Sequence, residues 1–258
     1  MKQIIAIGGA VLVPETGNFA LERYILDATG KPKPRVCFVP TASGDDPSYV
    51  ARFYESYSRF DCELTHLPLF RRTPADLRAL IFGCDVVHVG GGNTRSMLAV
   101  WHEWSLGAIL REAWERGIVL TGSSAGAICW FEEAVTDSVA GDLMPMVGLG
   151  FLAGSACPHY DGEADRRPAY RRMVATGAIG PGVAADDGVA LHFIDRDLHA
   201  TVSSRPAGRA YRVEPGDGSA RETPLGARRL TVVESPKQNR RQLPDPTESD
   251  AFVERDRG

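Results

Sequence analysis

The sequence predicts an α/β protein: a doubly wound, mostly parallel sheet, with additional antiparallel strands in the C-terminal half. Three observations carry the prediction. Between residues 1 and 131, short apolar runs alternate with segments of helical spacing. Runs such as VCFV and VVHV are apolar at consecutive positions, as parallel strands covered on both faces are. Turns containing Gly or Pro separate each run from the helical segment that follows.

In chain order, residues 3–7 form the first strand and residues 18–29 the first helical segment. A strand at 35–40, carrying VCFV, is followed by a helix over 47–59. A strand at 63–67 leads to a helix over 74–82, and VVHV lies in a strand at 85–89. After GGGN a single long helix is expected over 94–116, then a strand at 118–121. From about residue 145 the texture changes to short, turn-bounded, partly alternating pieces: GLGFL, SACPHY, GVALHFI, ATVSSR and RAYRVE. One helical segment, 164–176, lies among them, and the strands are expected to complete or flank the same sheet. No linker or shift in composition divides the chain, so one domain over 1–233 is expected, followed by a polar, proline-containing mobile tail at 234–258.

Bulk properties exclude several function classes. The 258 residues are 43% hydrophobic and 24% charged, ordinary for a globular protein that buries a sizeable core. A net charge of -4 offers no general attraction to nucleic-acid phosphates or anionic membranes, so neither is an expected partner. The five cysteines are scattered without zinc spacing and read as reduced core thiols; no metal or other cofactor is expected. The N-terminal apolar run is too short for a secretory signal and no stretch of eighteen apolar residues occurs, which predicts a cytoplasmic protein. The sequence is compatible with a monomer and with a homodimer.

Two glycine-flanked strand ends carry the chemistry. Gly122-Ser123-Ser124-Ala125-Gly126 fits the G-x-S-x-G elbow, in which a tight strand-to-helix turn holds a hydroxyl above the sheet edge. The competing reading makes Ser123 or Ser124 a plain helix cap. VGGGNT, residues 89–94, also joins a strand to a helix, and its glycines can present unblocked amides to a ligand; a cap turn is again the alternative. In one parallel sheet both loops point into the crevice at the carboxyl ends of the strands. A serine nucleophile requires a base, and His159, framed by Pro158 and Gly162 in CPHYDGE, is the candidate. His66, His88, His102, His192 and His199 lie in strand, helical or turn contexts that suit structural or solvent-facing roles. The base needs an orienting acid, for which Asp187 in AADDGVAL is better placed than Asp161, with Asp186 and Asp137 left open.

With those residues in view, the chain resembles the peptidase E family of serine peptidases, which includes aspartyl dipeptidase and the more distant cyanophycinases. The resemblance covers roughly residues 1–215 and rests on VGGGNT, GSSAGA, VTDS, CPHYDGEADRR and DDGVAL in that order. It implies a class I glutamine-amidotransferase-like fold, with Ser124 as nucleophile, His159 as general base and Asp187 as the acid. It further implies oxyanion amides from Gly91 or Gly92 together with Ala125, and Asn93 and Thr94 facing the substrate. Asp137 falls on a second acidic position of the family, in site architecture or substrate contact. Ser123 stands where aspartyl dipeptidase has a bulky aromatic. An N-terminal Asp on the substrate requires a cation, for which Arg166, Arg167 and Arg95 are candidates. The expected activity is hydrolysis of small peptides by a metal-independent serine peptidase, a dipeptidase or related exopeptidase. The alternatives are a cyanophycinase-like amide hydrolase on the same fold and a binding protein that retains only the crevice. A glutamine amidotransferase is disfavoured because it uses a Cys nucleophile, and Cys129, five residues beyond Ser124, cannot substitute.

Overall fold

Alternate residues of strand β1 (Gln3–Ile7) are buried on opposite faces: Ile4 and Ala6 join one apolar cluster, Ile5 and Ile7 a second. The same division runs through β2 (Arg35–Val39), β4 (Val86–Val89) and β5 (Val119–Ser123), as a period of two demands of a sheet covered on both sides. The structure is a computed structural model that describes residues 1–13 and 16–233; the mobile tail expected at 234–258 lies outside the described residues. Helices α1 (Ala20–Asp27) and α2 (Pro47–Tyr57) fill one side through Leu21, Ile25, Phe53 and Tyr57. On the other side α3 (Leu77–Phe82), α4 (Thr94–Glu103) and α5 (Leu106–Glu115) contribute Ile81, Trp101, Leu110 and Trp114.

The main sheet also contains β3 (Glu63–His66), β10 (Val189–Ile194), β11 (Asp197–Ser203) and the short β14 (Arg228–Arg229). Its order is β14-β11-β10-β1-β5-β4-β2-β3. From β1 to β3 every pairing is parallel, while β10 runs antiparallel to β1 and β11 antiparallel to β10. Because β1, β5 and β4 are neighbours, the loops leaving their carboxyl ends lie side by side.

Only part of the C-terminal half completes that sheet. Strands β6 (Phe131–Thr136), β7 (Met144–Val147), β8 (Leu152–Cys157), β9 (Gly182–Ala185), β12 (Ala210–Pro215) and β13 (Ala220–Leu225) form a second one, ordered β13-β12-β9-β8-β6-β7. One face of it, through Ala134, Leu152, Ala156 and Val183, shares the cluster of α4 and α5; the other carries α7 (Arg166–Thr176) through Tyr170, Met173 and Val174. The expected helix over 94–116 is two helices, with Ser105 between them at φ 52°. The reason lies in the apolar phase. Met97 and Trp101 are buried, and an unbroken helix would next turn Trp104, Ser105 and Ala108 inward; instead Leu106, Ile109 and Leu110 are buried, one residue out of step. The helix that follows Ser124, α6 (Ala125–Ile128), is one turn, and the chain enters β6 within three residues.

Candidate active site

Ser124 sits between the last residue of β5 and the first of α6, at φ 54° and ψ -116°. An L-residue held there costs about 1–3 kcal/mol. Its amide donates to the Ile7 carbonyl at 3.1 Å, and its carbonyl accepts from the amides of Ala127 and Ile128 at 2.9 and 3.0 Å. The elbow's second glycine answers a packing demand, since a β-carbon on Gly126 would overlap the Val89 carbonyl oxygen. The glycine loop after β4 lies against Ser124: a β-carbon on Gly91 would stand 3.2 Å from Ser124 Cβ and 3.7 Å from its Oγ. The Gly91 amide donates to the Tyr49 hydroxyl at 3.1 Å, whereas the Gly92 and Ala125 amides have no protein acceptor among the described residues.

His159 follows β8 and Asp187 lies between β9 and β10. The histidine is held at φ 51° by its amide, which donates to the Gly8 carbonyl at 3.0 Å. Its Nδ1–H donates to Asp187 Oδ1 at 2.7 Å, with both side chains about three-quarters buried. That bond fixes the tautomer and leaves Nε2 as the basic nitrogen. Asp187 is itself clamped. Its amide donates to Asp161 Oδ1 at 2.9 Å, its carbonyl accepts from Arg205 at 3.0 Å, and Arg205 also pairs with Asp161 Oδ2 at 2.8 Å. Of the acids left open by the sequence, Asp186 turns the other way: its carboxylate accepts from the Arg209 amide at 2.9 Å, and burial raises its pKa.

Residues 4–201 match the profile of peptidase family S51. The chain belongs to that family. It is 52% identical over 230 residues to the uncharacterized peptidase YgaJ of Bacillus subtilis (strain 168), a similarity covering 89% of this chain and all of the relative. Two solved structures share the fold at low identity. One is a peptidase from an acI-B1 Actinobacterium, with a TM-score of 0.66 and 17% identity over 90% of this chain and 97% of the other. The second is a putative peptidase E protein from Listeria monocytogenes EGD-e, with a TM-score of 0.53 and 15% identity over 88% of this chain and 100% of that one. The S51 chain is thus a serine peptidase on a class I glutamine-amidotransferase-like α/β fold.

Several residues expected at the substrate take other positions in this S51 peptidase. Asn93 caps α4, its Oδ1 accepting from the Ser96 amide at 2.9 Å, while its Nδ2 donates to the Ser138 carbonyl at 2.9 Å; both ends of the side chain are engaged. Thr94 is 2% exposed. Arg166 is equally buried and ion-paired to Asp137 at 3.0 Å and Glu163 at 2.6 Å, so its charge is matched inside the protein instead of being presented to a substrate carboxylate. Arg167 pairs with Glu222 at 2.8 Å. Arg95 is exposed and has no ion-pair partner among the described residues.

The remaining histidines and thiols divide as their environments dictate. His88 is fully buried against the Tyr57 hydroxyl, and burial pushes its pKa down to about 3. His192 is bonded to Tyr24 and Gln3, and burial brings it to about 4. Both are therefore neutral framework groups. The Cys129 thiol is buried, which holds its pKa well above the usual thiol range and keeps it out of nucleophilic chemistry. Among the described residues no group of His, Cys, Asp and Glu could hold a metal ion, and no helix is long and apolar enough to cross a membrane.

Two contributions escaped the sequence reading. Tyr49, on α2, takes up one amide of the glycine loop. The other is the end of β1: the successive carbonyls of Ile7, Gly8 and Gly9 accept from the amides of Ser124, His159 and Gly188 at 3.1, 3.0 and 2.8 Å. Its signal is present in the sequence, because AIGGA is a third glycine-rich strand end beside VGGGNT and GSSAG.

Proposed function

We propose that this S51 chain hydrolyses small peptides, as a dipeptidase or related exopeptidase, through a Ser124-His159-Asp187 triad and an acyl-enzyme. One observation carries the reading. The bonded His159–Asp187 pair and the elbow serine, with the glycine loop packed on it, come from distant parts of the chain and are tied to consecutive carbonyls of one strand end. In this mechanism His159 Nε2 removes the Ser124 proton as Oγ attacks the scissile carbonyl. The amides of Gly92 and Ala125, without a protein acceptor among the described residues, take the developing oxyanion; Gly91 joins them once its bond to Tyr49 is released. His159 then protonates the leaving amine, and water, activated by the same nitrogen, releases the acid product. Neither metal nor cofactor enters these steps, and the substrate is the one partner they require. Asp137, more than half exposed beside its arginine, retains a position from which to meet a substrate amine, and Arg95 is the cation left to meet an acidic group.

A fluorophosphonate probe tests the reading, since it reacts with an activated serine irrespective of substrate. Wild type should label and Ser124→Ala should not; equal labelling overturns the proposal. A panel of dipeptides differing in the first residue, run with and without chelator, then assigns the substrate. Hydrolysis that survives chelation is expected. Cleavage of β-aspartyl-arginine in place of the dipeptides would favour the cyanophycinase-like alternative.

A further inference from the structure

We infer that Gly9 is a positioning residue of the triad: the space left by its missing side chain is where His159 and Asp187 meet. This rests on the triad reading above and extends it to a residue with no side chain of its own to react. A β-carbon on Gly9 would overlap Asp187 Oδ1 and His159 Cε1 and stand 2.5 Å from His159 Nδ1, on top of the hydrogen bond that joins the pair. Gly9 is not among the glycines with a positive φ, so backbone freedom does not account for it; room does. On its other side the same carboxylate is bounded by Gly162, where a β-carbon would overlap Asp187 Oδ2 and lie 3.1 Å from Cγ. The carboxylate therefore lies between two α-carbons.

The backbone at Gly9 shares the task. Its carbonyl accepts from the Gly188 amide at 2.8 Å, one residue beyond the acid, while the Gly8 carbonyl holds the His159 amide at 3.0 Å. One dipeptide thus sets where the two loops sit and keeps the gap between them clear. A methyl group there must displace the imidazole or the carboxylate, and a shift of about 1 Å takes a charge-assisted bond out of range. The imidazole then loses its fixed tautomer, which costs catalysis more than binding.

A double-mutant cycle tests the inference, with the rate of fluorophosphonate labelling of Ser124 as the readout. Gly9→Ala should slow labelling roughly 100-fold, as should Asp187→Ala, with the fold retained by circular dichroism. In the Asp187→Ala background the imidazole is already untethered and can move off the methyl into the space of the lost carboxylate, so the addition should cost nothing further. Wild-type labelling by Gly9→Ala beside slow labelling by Asp187→Ala overturns the positioning role and leaves the triad reading standing. Wild-type labelling by Asp187→Ala overturns the triad reading, and with it this inference. Losses that multiply in the double variant mark a general distortion and also overturn it. Should Gly9→Ala fail to fold alone, the double variant decides: recovery of the fold supports the inference, and a second failure overturns it.

Discussion

Ser124 and His159 both lie in a left-handed backbone region that few residues other than glycine adopt, at φ 54° and 51°. At Ser124 that strain is separable from the chemistry. Ser124→Gly should be inactive yet resist urea better than Ser124→Ala, by about 1 kcal/mol, because glycine enters the turn without the clash of a β-carbon. Equal midpoints for the two variants would show the turn to be relaxed. The serine, histidine and aspartate proposed for the triad were legible as candidates because each carries a local mark: glycines around the serine, a proline and a glycine framing the histidine loop, a glycine after the aspartate. Arg166 carried no such mark. Its partner Asp137 lies beyond β7 and β8, and nothing in ADRRP distinguishes a buried, neutralised arginine from a solvated one.

At the scale of an element, α1 does more than cover the sheet. Its Glu22 is 2% exposed and accepts from the Leu12 amide at 3.1 Å, bracing the loop that leaves Gly9 where Leu12 takes φ 58°. Burial raises the Glu22 pKa from 4.5 to about 7. Below pH 4.5 folded and unfolded chains both hold this proton, and no penalty arises. Between 4.5 and 7 the unfolded chain releases it while the folded chain retains it, so stability falls as pH rises and levels off above 7. The loss amounts to roughly 3 kcal/mol, and Glu22→Gln should flatten that part of a denaturation-against-pH curve. An unchanged slope would assign the effect to another group. The break between α4 and α5 was readable in principle, since the one-residue slip in apolar phase after Trp101 is written in MLAVWHEWSLGAIL, although the helical spacing on either side of it is continuous enough to resemble one helix.

For the whole molecule, the two sheets share one apolar cluster, which holds Ile4 and Leu120 of the first sheet, Trp101 of α4, and Ala134, Leu152 and Val183 of the second sheet. Thermal unfolding should therefore be a single transition, coincident by tryptophan fluorescence and far-ultraviolet circular dichroism; two separated transitions would mean that the sheets melt as independent units. The parallel strands were legible because each is an uninterrupted apolar run. Membership of one sheet or the other was not, because it depends on pairings such as Tyr211 with Ala184 and Ile5 with His192, which short-range pattern does not encode. The placement of β1 between β5 and β10 has a temporal consequence. The carbonyls of residues 7–9 are synthesised before residues 124, 159 and 188, whose amides they bind, so an older part of the growing polypeptide must wait for much younger parts before this arrangement forms. A nascent chain halted before residue 187 would lack the acid that the proposed chemistry needs.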